Sequence, residues 1–221
     1  MKRFYSIAII CLLFISFFNN DAEAQRRRRR GAYYNSSELM YSLGATAVMP
    51  RYTEGFLKDS AEEYFGLTFS PRLNLIMGND QSVSLALYMS LLYGEYLNKK
   101  GETKDLSYEI PFVINFNFGA GATHSARSSL GGFLGLGYQF SNLYLLNPEG
   151  FGQLLTNPNA NLNDLADVVS PMEGFYLNAG FRFAVGSGTG NIHAFMVNTK
   201  IENQKTYGLR FMYTFGDGRR Y

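Results

Sequence analysis

From Tyr207 to Phe215 the chain alternates without a break. Tyr207, Leu209, Phe211, Tyr213 and Phe215 fall on one side, and Thr206, Gly208, Arg210, Met212 and Thr214 on the other. A period of two is that of a β-strand, whose successive side chains point to opposite faces. The same pattern recurs along the chain and predicts eight strands, at about Leu39–Met49, Tyr64–Met77, Ser82–Leu92, Ser107–Phe118, Ser129–Phe140, Gly174–Val185, Asn191–Thr199 and Thr206–Phe215. In the second, Phe65, Leu67, Phe69, Leu73 and Leu75 oppose Gly66, Thr68, Ser70, Arg72 and Asn74. In the fourth, Tyr108, Ile110, Phe112, Ile114, Phe116 and Phe118 oppose Glu109, Val113, Asn115 and Asn117. The seventh is the weakest, because Ile192 to Val197 fits either phase.

The connections alternate too. One set is tight or made of small residues: Gly78–Gln81, Gly119–Ser128 and Gly186–Gly190. The other is mostly long: Pro50–Glu63, Tyr93–Leu106, Ser141–Glu173 and Lys200–Lys205. Asn-Asp and Gly-Ser-Gly sequences suit tight hairpins because they tolerate positive φ. Pro71 and Pro111 fall inside predicted strands, where a missing ladder donor marks a bulge. Bulges are therefore expected at both.

An even number of alternating strands, each greasy on one face and polar on the other, predicts an all-β fold: an eight-stranded antiparallel up-and-down barrel spanning a membrane. The greasy face meets lipid and the polar face lines the lumen. Closure leaves no unpaired edge in lipid. A soluble sandwich is the competing architecture, but the apolar residues are too many and too aromatic for one buried face per sheet. Aromatic residues make up 16% of the chain and charged residues 17%, with mean hydropathy −0.12, a balance that alternation produces. After the first two dozen residues no apolar run approaches the length of a membrane helix. A net charge of +2 gives no electrostatic footprint for nucleic acid.

Residues 1–24 read as a signal peptide: Lys2 and Arg3 lead, Ile7 to Phe18 is apolar, and Ala22-Glu23-Ala24 offers a cleavage site before Gln25. The only cysteine, Cys11, lies within that run, so thiol chemistry and disulfides are not expected in the mature protein. Residues 25–38 then form a polar periplasmic tail containing Arg26–Arg30, and 39–221 form the barrel. Five like charges stay solvated, and are placed to touch anionic lipid, peptidoglycan or a partner.

The Ala22-Glu23-Ala24-Gln25 signal ending, the eight segments and the closing Tyr207–Phe215 strand together resemble the small outer-membrane β-barrel proteins common in Bacteroidota, a grouping that includes PorT-like proteins. More distantly they resemble eight-stranded barrels of the OmpA/OmpX type. The resemblance implies the outer membrane of a Gram-negative bacterium, with both termini periplasmic. Many such barrels end on the aromatic residue of the last strand. Here the chain continues to Tyr221, so recognition by the assembly machinery rests on Phe215 or on Tyr221.

Eight strands enclose a lumen that side chains fill. Residues expected to face it include Arg72, Asn74, Glu109, Asn115, Asn117, Gln139, Asn178, Arg182 and Arg210. A buried guanidinium needs a partner. Glu109 is expected near the outer end of its strand, so Glu38, at the foot of the first, is the partner expected for Arg72 or Arg210. These residues read either as a structural plug of ion pairs and amides or as an anion site or narrow polar path. The two histidines, His124 and His193, have no acid or serine suitably placed in sequence, so catalysis is not expected. Neither a metal nor a cofactor is expected.

The longest connection, Ser141–Glu173, contains Glu149, Asp164 and Asp167 but no lysine or arginine. Asn147-Pro148 is placed to cap a helix carrying Leu154 and Leu155. Asn161 or Asn163 is placed to cap a second, carrying Leu165, Val168 and Val169 and stopped before Pro171. These turns either roof the barrel or dock another outer-membrane protein. The expected role is therefore non-enzymatic: a structural or accessory subunit of an outer-membrane assembly. The alternatives are a narrow channel or hydrophobic-ligand transport barrel, and then a lipid-modifying enzyme.

Overall fold

The computed structural model describes residues 37–52, 63–78, 80–97, 103–146, 169–201 and 204–215. The expected signal peptide, almost all of the arginine-rich tail and most of the Ser141–Glu173 connection lie outside them. Among the described residues eleven strands form: β1 (Glu38–Tyr52), β2 (Tyr64–Met77), β3 (Gln81–Leu87), β4 (Met89–Leu97), β5 (Thr103–Gly119), β6 (Leu130–Ser141), β7 (Tyr144–Leu146), β8 (Val169–Pro171), β9 (Gly174–Val185), β10 (Gly188–Thr199) and β11 (Gln204–Phe215). β3 and β4 are one stave interrupted at Tyr88, since both pair with β2 and with β5. The staves run antiparallel in the order β1, β2, β3/β4, β5, β6, β9, β10, β11, and β11 pairs back onto β1 from Tyr41↔Phe215 to Tyr52↔Gln204. The fold is a closed eight-stranded antiparallel barrel, with β7 and β8 as a small hairpin at one end.

Alternation sets which way each side chain points. On β11, Thr206, Arg210, Met212 and Thr214 are buried, while Tyr207, Leu209, Phe211 and Phe215 are exposed. β10 resolves the ambiguous seventh segment: Asn191, His193, Phe195 and Val197 point inward and Ile192 outward. The result is inverted relative to a soluble protein. Leu67, Leu134 and Phe211 are 67%, 60% and 55% exposed, whereas Arg210, Glu109 and Asn115 are each 0% exposed.

Neither proline makes a bulge. Pro71 pairs with Tyr41 in unbroken β1–β2 register. Pro111 sits opposite Tyr88, whose N–H donates to the Pro111 carbonyl (3.0 Å). The register of the β3/β4 stave against β5 is the same on both sides of that point. Proline has no N–H to return, so the ladder loses a rung there without slipping. The irregularities fall instead between Asn74 and Ile76 and between Tyr93 and Tyr96. After the first, Leu75 and Ile76 both face outward. The connection expected at Tyr93–Leu106 is shorter than predicted, because β4 continues to Leu97 and β5 begins at Thr103.

The two ends are closed differently. Where β1 begins, the segment after β5 turns inward at Gly119 and Gly121, both at positive φ (68° and 63°). Ala120, Ala122 and Thr123 are buried within the barrel mouth. The small-residue connection is thus a plug and not a simple hairpin. At the other end Leu143, Leu145, Met172 and Ile201 cover Val48, Tyr64, Leu92 and Val197 in one apolar cluster. The Met172 N–H donates to the Leu143 carbonyl (2.8 Å) and fixes that roof.

Gly135 on β6 makes room for lumen amides. A Cβ on Gly135 would collide with the side-chain oxygens of Asn115 and Asn178. Gly135→Ala should therefore destabilise the barrel by about 1–3 kcal/mol, the usual cost of overpacking. The midpoint of denaturant unfolding in detergent checks this.

Candidate functional site

The polar lumen is the candidate site, and three guanidiniums organise it. Arg210, on β11, is fully buried at mid-height. It donates to Glu109 Oε1 and to the Tyr176 hydroxyl, and lies against the rings of Phe195 (4.1 Å to the centroid) and Tyr88 (5.0 Å). Its Nη1 is 3.3 Å from His193 Nε2. Arginine only donates, so Nε2 accepts and the ring proton sits on Nδ1. Glu109 Oε1 also accepts from Ser90 Oγ (2.9 Å), and Ser90 shares a hydrogen bond with Thr68 (2.8 Å). His193 sits edge-on to both Tyr88 and Phe133. The ion pair and its aromatic walls thus leave the cation no route to water.

Glu38 is not the partner of Arg210. It accepts from the His124 backbone N–H (2.9 Å), lies 3.3 Å from His124 Nδ1 and receives a bond from Asn74 (3.4 Å). The reason is register in a tilted barrel, where hydrogen-bonded neighbours run around the wall at a slant to the strand ends. Glu109 opposes Ser90, Ser90 opposes Thr68, Thr68 opposes Gly44, and Gly44 opposes Met212, one inward position from Arg210. β5 also begins earlier than expected, so Glu109 is deeper than its place in the sequence pattern suggests.

Closer to the plug, Arg182 on β9 donates to Asn191 Oδ1 (2.9 Å), Asn117 Oδ1 (2.9 Å) and the Gly121 carbonyl (3.4 Å), and stacks on Phe133 (4.3 Å). Arg72, on β2, reaches the same Gly121 carbonyl and Met40 Sδ. Asn74 and Ser82 donate to the Ala122 carbonyl (3.0 and 2.7 Å). Carbonyls of the plug therefore serve as acceptors for the wall. Asn115, Gln139 and Asn178 are buried on the β5–β6–β9 wall. Asn178 reaches the Tyr88 hydroxyl (3.5 Å).

Of the residues expected in the docking loop, Leu154, Leu155, Leu165 and Val168 lie outside the described residues, as do Arg26–Arg30. Val169 does not lie on a helix: it opens β8, pairs with Leu146, and is buried at the roof. His124 has an acid beside it after all, since β1 brings Glu38 to it across 86 residues of sequence. The Ser125 hydroxyl is bonded to Thr123 (3.1 Å). Sequence reasoning did not find the plug or the ring of Tyr88, Tyr176, His193 and Phe195 around Arg210. The run Gly119-Ala120-Gly121-Ala122 was the available signal, because only small side chains fit inside the barrel mouth.

No family model matches the chain, and no curated protein matches its sequence. Among solved structures it is similar to Neisserial surface protein A (11% identity, TM-score 0.47, over 82% of this chain and 99% of that one). It is similar also to the attachment invasion locus protein of Yersinia pestis, solved with the heparin analogue sucrose octasulfate (12%, 0.48, 82% and 100%). A third is the N-terminal β-barrel domain of Pseudomonas aeruginosa OprF (12%, 0.41, 80% and 100%). Similarity at this level carries no inference about role.

Removing one partner of a buried ion pair leaves the other charge uncompensated, which costs about 3–5 kcal/mol. Glu109→Ala should lose about that much stability in detergent unfolding. The double change Glu109→Leu with Arg210→Met should recover most of it, because neither charge of the pair is left without the other.

Proposed function

We propose that this protein is an integral barrel of the bacterial outer membrane that works as a non-enzymatic scaffold. In this reading it is an accessory subunit of an outer-membrane assembly, and it binds its partners through parts outside the lumen. The observation that carries the reading is the combination of an apolar outer wall with a filled interior. Leu67, Ile114, Leu134, Leu136, Phe181 and Phe211 face outward on five of the staves. Burial of such side chains in lipid contributes stability that exposure to water would forfeit. Inside, the described residues leave a cavity of about 10 Å³ between Arg72 and Arg182. Beyond it the lumen is filled by side chains, with Arg210, Glu109, Tyr88, Tyr176, His193 and Phe195 all buried.

The two closures support one orientation. The end where β1 begins carries the tight connections and the plug, which suits the periplasmic side of bacterial barrels, and the opposite end carries the longer loops. The resemblance of the sequence to small Bacteroidota-type outer-membrane barrels fits this assignment. With the lumen packed, recognition falls to the outer loops and to the arginine-rich tail.

Three measurements test the reading. Leu134→Arg, near the middle of β6, should reduce stability in bilayers by about 2–4 kcal/mol; an unchanged unfolding midpoint in vesicles would contradict the lipid-facing assignment. In planar bilayers the protein should give no resolved conductance steps, and reproducible steps would favour the channel. Purified from outer membranes in mild detergent, it should run in a stoichiometric complex. A lone monomer would overturn the accessory-subunit role.

A further inference from the structure

At the end of the barrel opposite the plug, two cations stand side by side on the outer wall. Arg51 on β1 pairs directly with Lys205 on β11, and both point away from the lumen between buried neighbours on their own strands. Like charges placed directly opposite one another repel. Among the described residues neither is in an ion pair, and the nearby acid Glu173 is taken by Lys200 (3.5 Å). The strand sets their height. Ten residues of β1 separate Arg51 from Tyr41, which stacks on Phe69 at the plug end. At about 3.3 Å per residue and a tilt of about 40°, that stretch rises about 25 Å, the height of the apolar band of a membrane barrel. Both cations therefore lie just beyond the band, at the level of lipid phosphates. Long basic side chains at that height carry their charge out of the hydrocarbon.

Below them the wall is hollowed. Ala45 and Ala47 on β1 sit between Phe211 and Leu209 on β11 and between Leu67 and Phe65 on β2. All four large side chains are exposed, so they stand as two ridges along a floor of methyl groups. Met49, opposite Tyr207, separates this groove from the cations, and its unbranched side chain adapts to what lies against it. A cationic pair at the head of an apolar groove matches a molecule with a phosphate at one end and a hydrocarbon chain at the other. We propose that this face binds one phosphate-bearing lipid, with its phosphate on Arg51 and Lys205 and an acyl chain along Ala47 and Ala45. The inference rests on the membrane-spanning reading above and adds to it a defined lipid site on the outer wall. The bound phosphate offsets the repulsion between the paired cations.

The test is native mass spectrometry of the protein in non-ionic detergent, with phosphatidic acid, diacylglycerol or glycerol 3-phosphate added at equal concentration. One phosphatidic acid should be retained per barrel, and neither of the other two. Arg51→Gln and Lys205→Gln should each weaken that retention roughly fivefold. Ala47→Leu, which fills the groove with a side chain suited to lipid, should weaken it without lowering the unfolding midpoint. Lys200→Gln should leave it as in the wild type. Equal retention of diacylglycerol would mean apolar adhesion alone, and equal retention of glycerol 3-phosphate a site for free phosphate. Either would overturn the proposal, as would wild-type retention by both glutamine variants. Insertion into vesicles is scored separately. A protein that inserts but retains no phosphatidic acid loses this site and keeps the membrane reading, whereas one that fails to insert loses both.

Discussion

A charged guanidinium sealed inside a barrel has to be met by protein, and the contact between Arg210 and Glu109 is the one around which the lumen is arranged. Its neighbours make sense as consequences. Ser90 and Thr68 extend the chain of hydrogen bonds from Glu109. Tyr176 takes a second N–H of Arg210, and Phe195 and Tyr88 supply π faces where water would otherwise sit. Low dielectric strengthens each of these bonds and raises the cost of leaving one unmade. Glycines on the surrounding wall leave space for the large side chains: a Cβ at Gly208 or Gly180 would run into Phe195 or Phe133.

The ends of the barrel solve one problem with opposite chemistry. At the plug, small residues enter the mouth and their carbonyls accept hydrogen bonds from Arg72, Asn74, Ser82 and Arg182. At the roof, Leu143, Leu145 and Met172 close the lumen by apolar packing. The polar end therefore depends on hydrogen-bond geometry and the apolar end on volume. Substitutions at the plug should be felt through orphaned donors, and those at the roof through cavities.

The wall of this barrel was legible from sequence because period-two alternation is local. The Gly174–Val185 strand lies where the pattern places it, and Arg72, Asn74, Glu109, Asn117, Arg182 and Arg210 are all on the inner face. Pairing within the lumen was not legible, because it depends on the slant of the register around the closed wall. That slant sets Glu109 and not Glu38 against Arg210. The plug escaped for a related reason: a run of glycine and alanine reads as a turn until the mouth that receives it is known. Val169 was misassigned because a short apolar run before a proline fits a capped helix as well as a strand.

The barrel is inverted, with apolar residues outward toward lipid and polar residues inward. Single nitroxide labels introduced by cysteine substitution at each position from 206 to 214, with Cys11 replaced, test it directly in reconstituted vesicles. Collision rates with oxygen, which concentrates in lipid, should peak at Tyr207, Leu209, Phe211 and Tyr213 and fall at the positions between them. A water-soluble nickel chelate should reach none of the four. Chelate access at Leu209 and Phe211, or oxygen access without a period of two, would contradict the account.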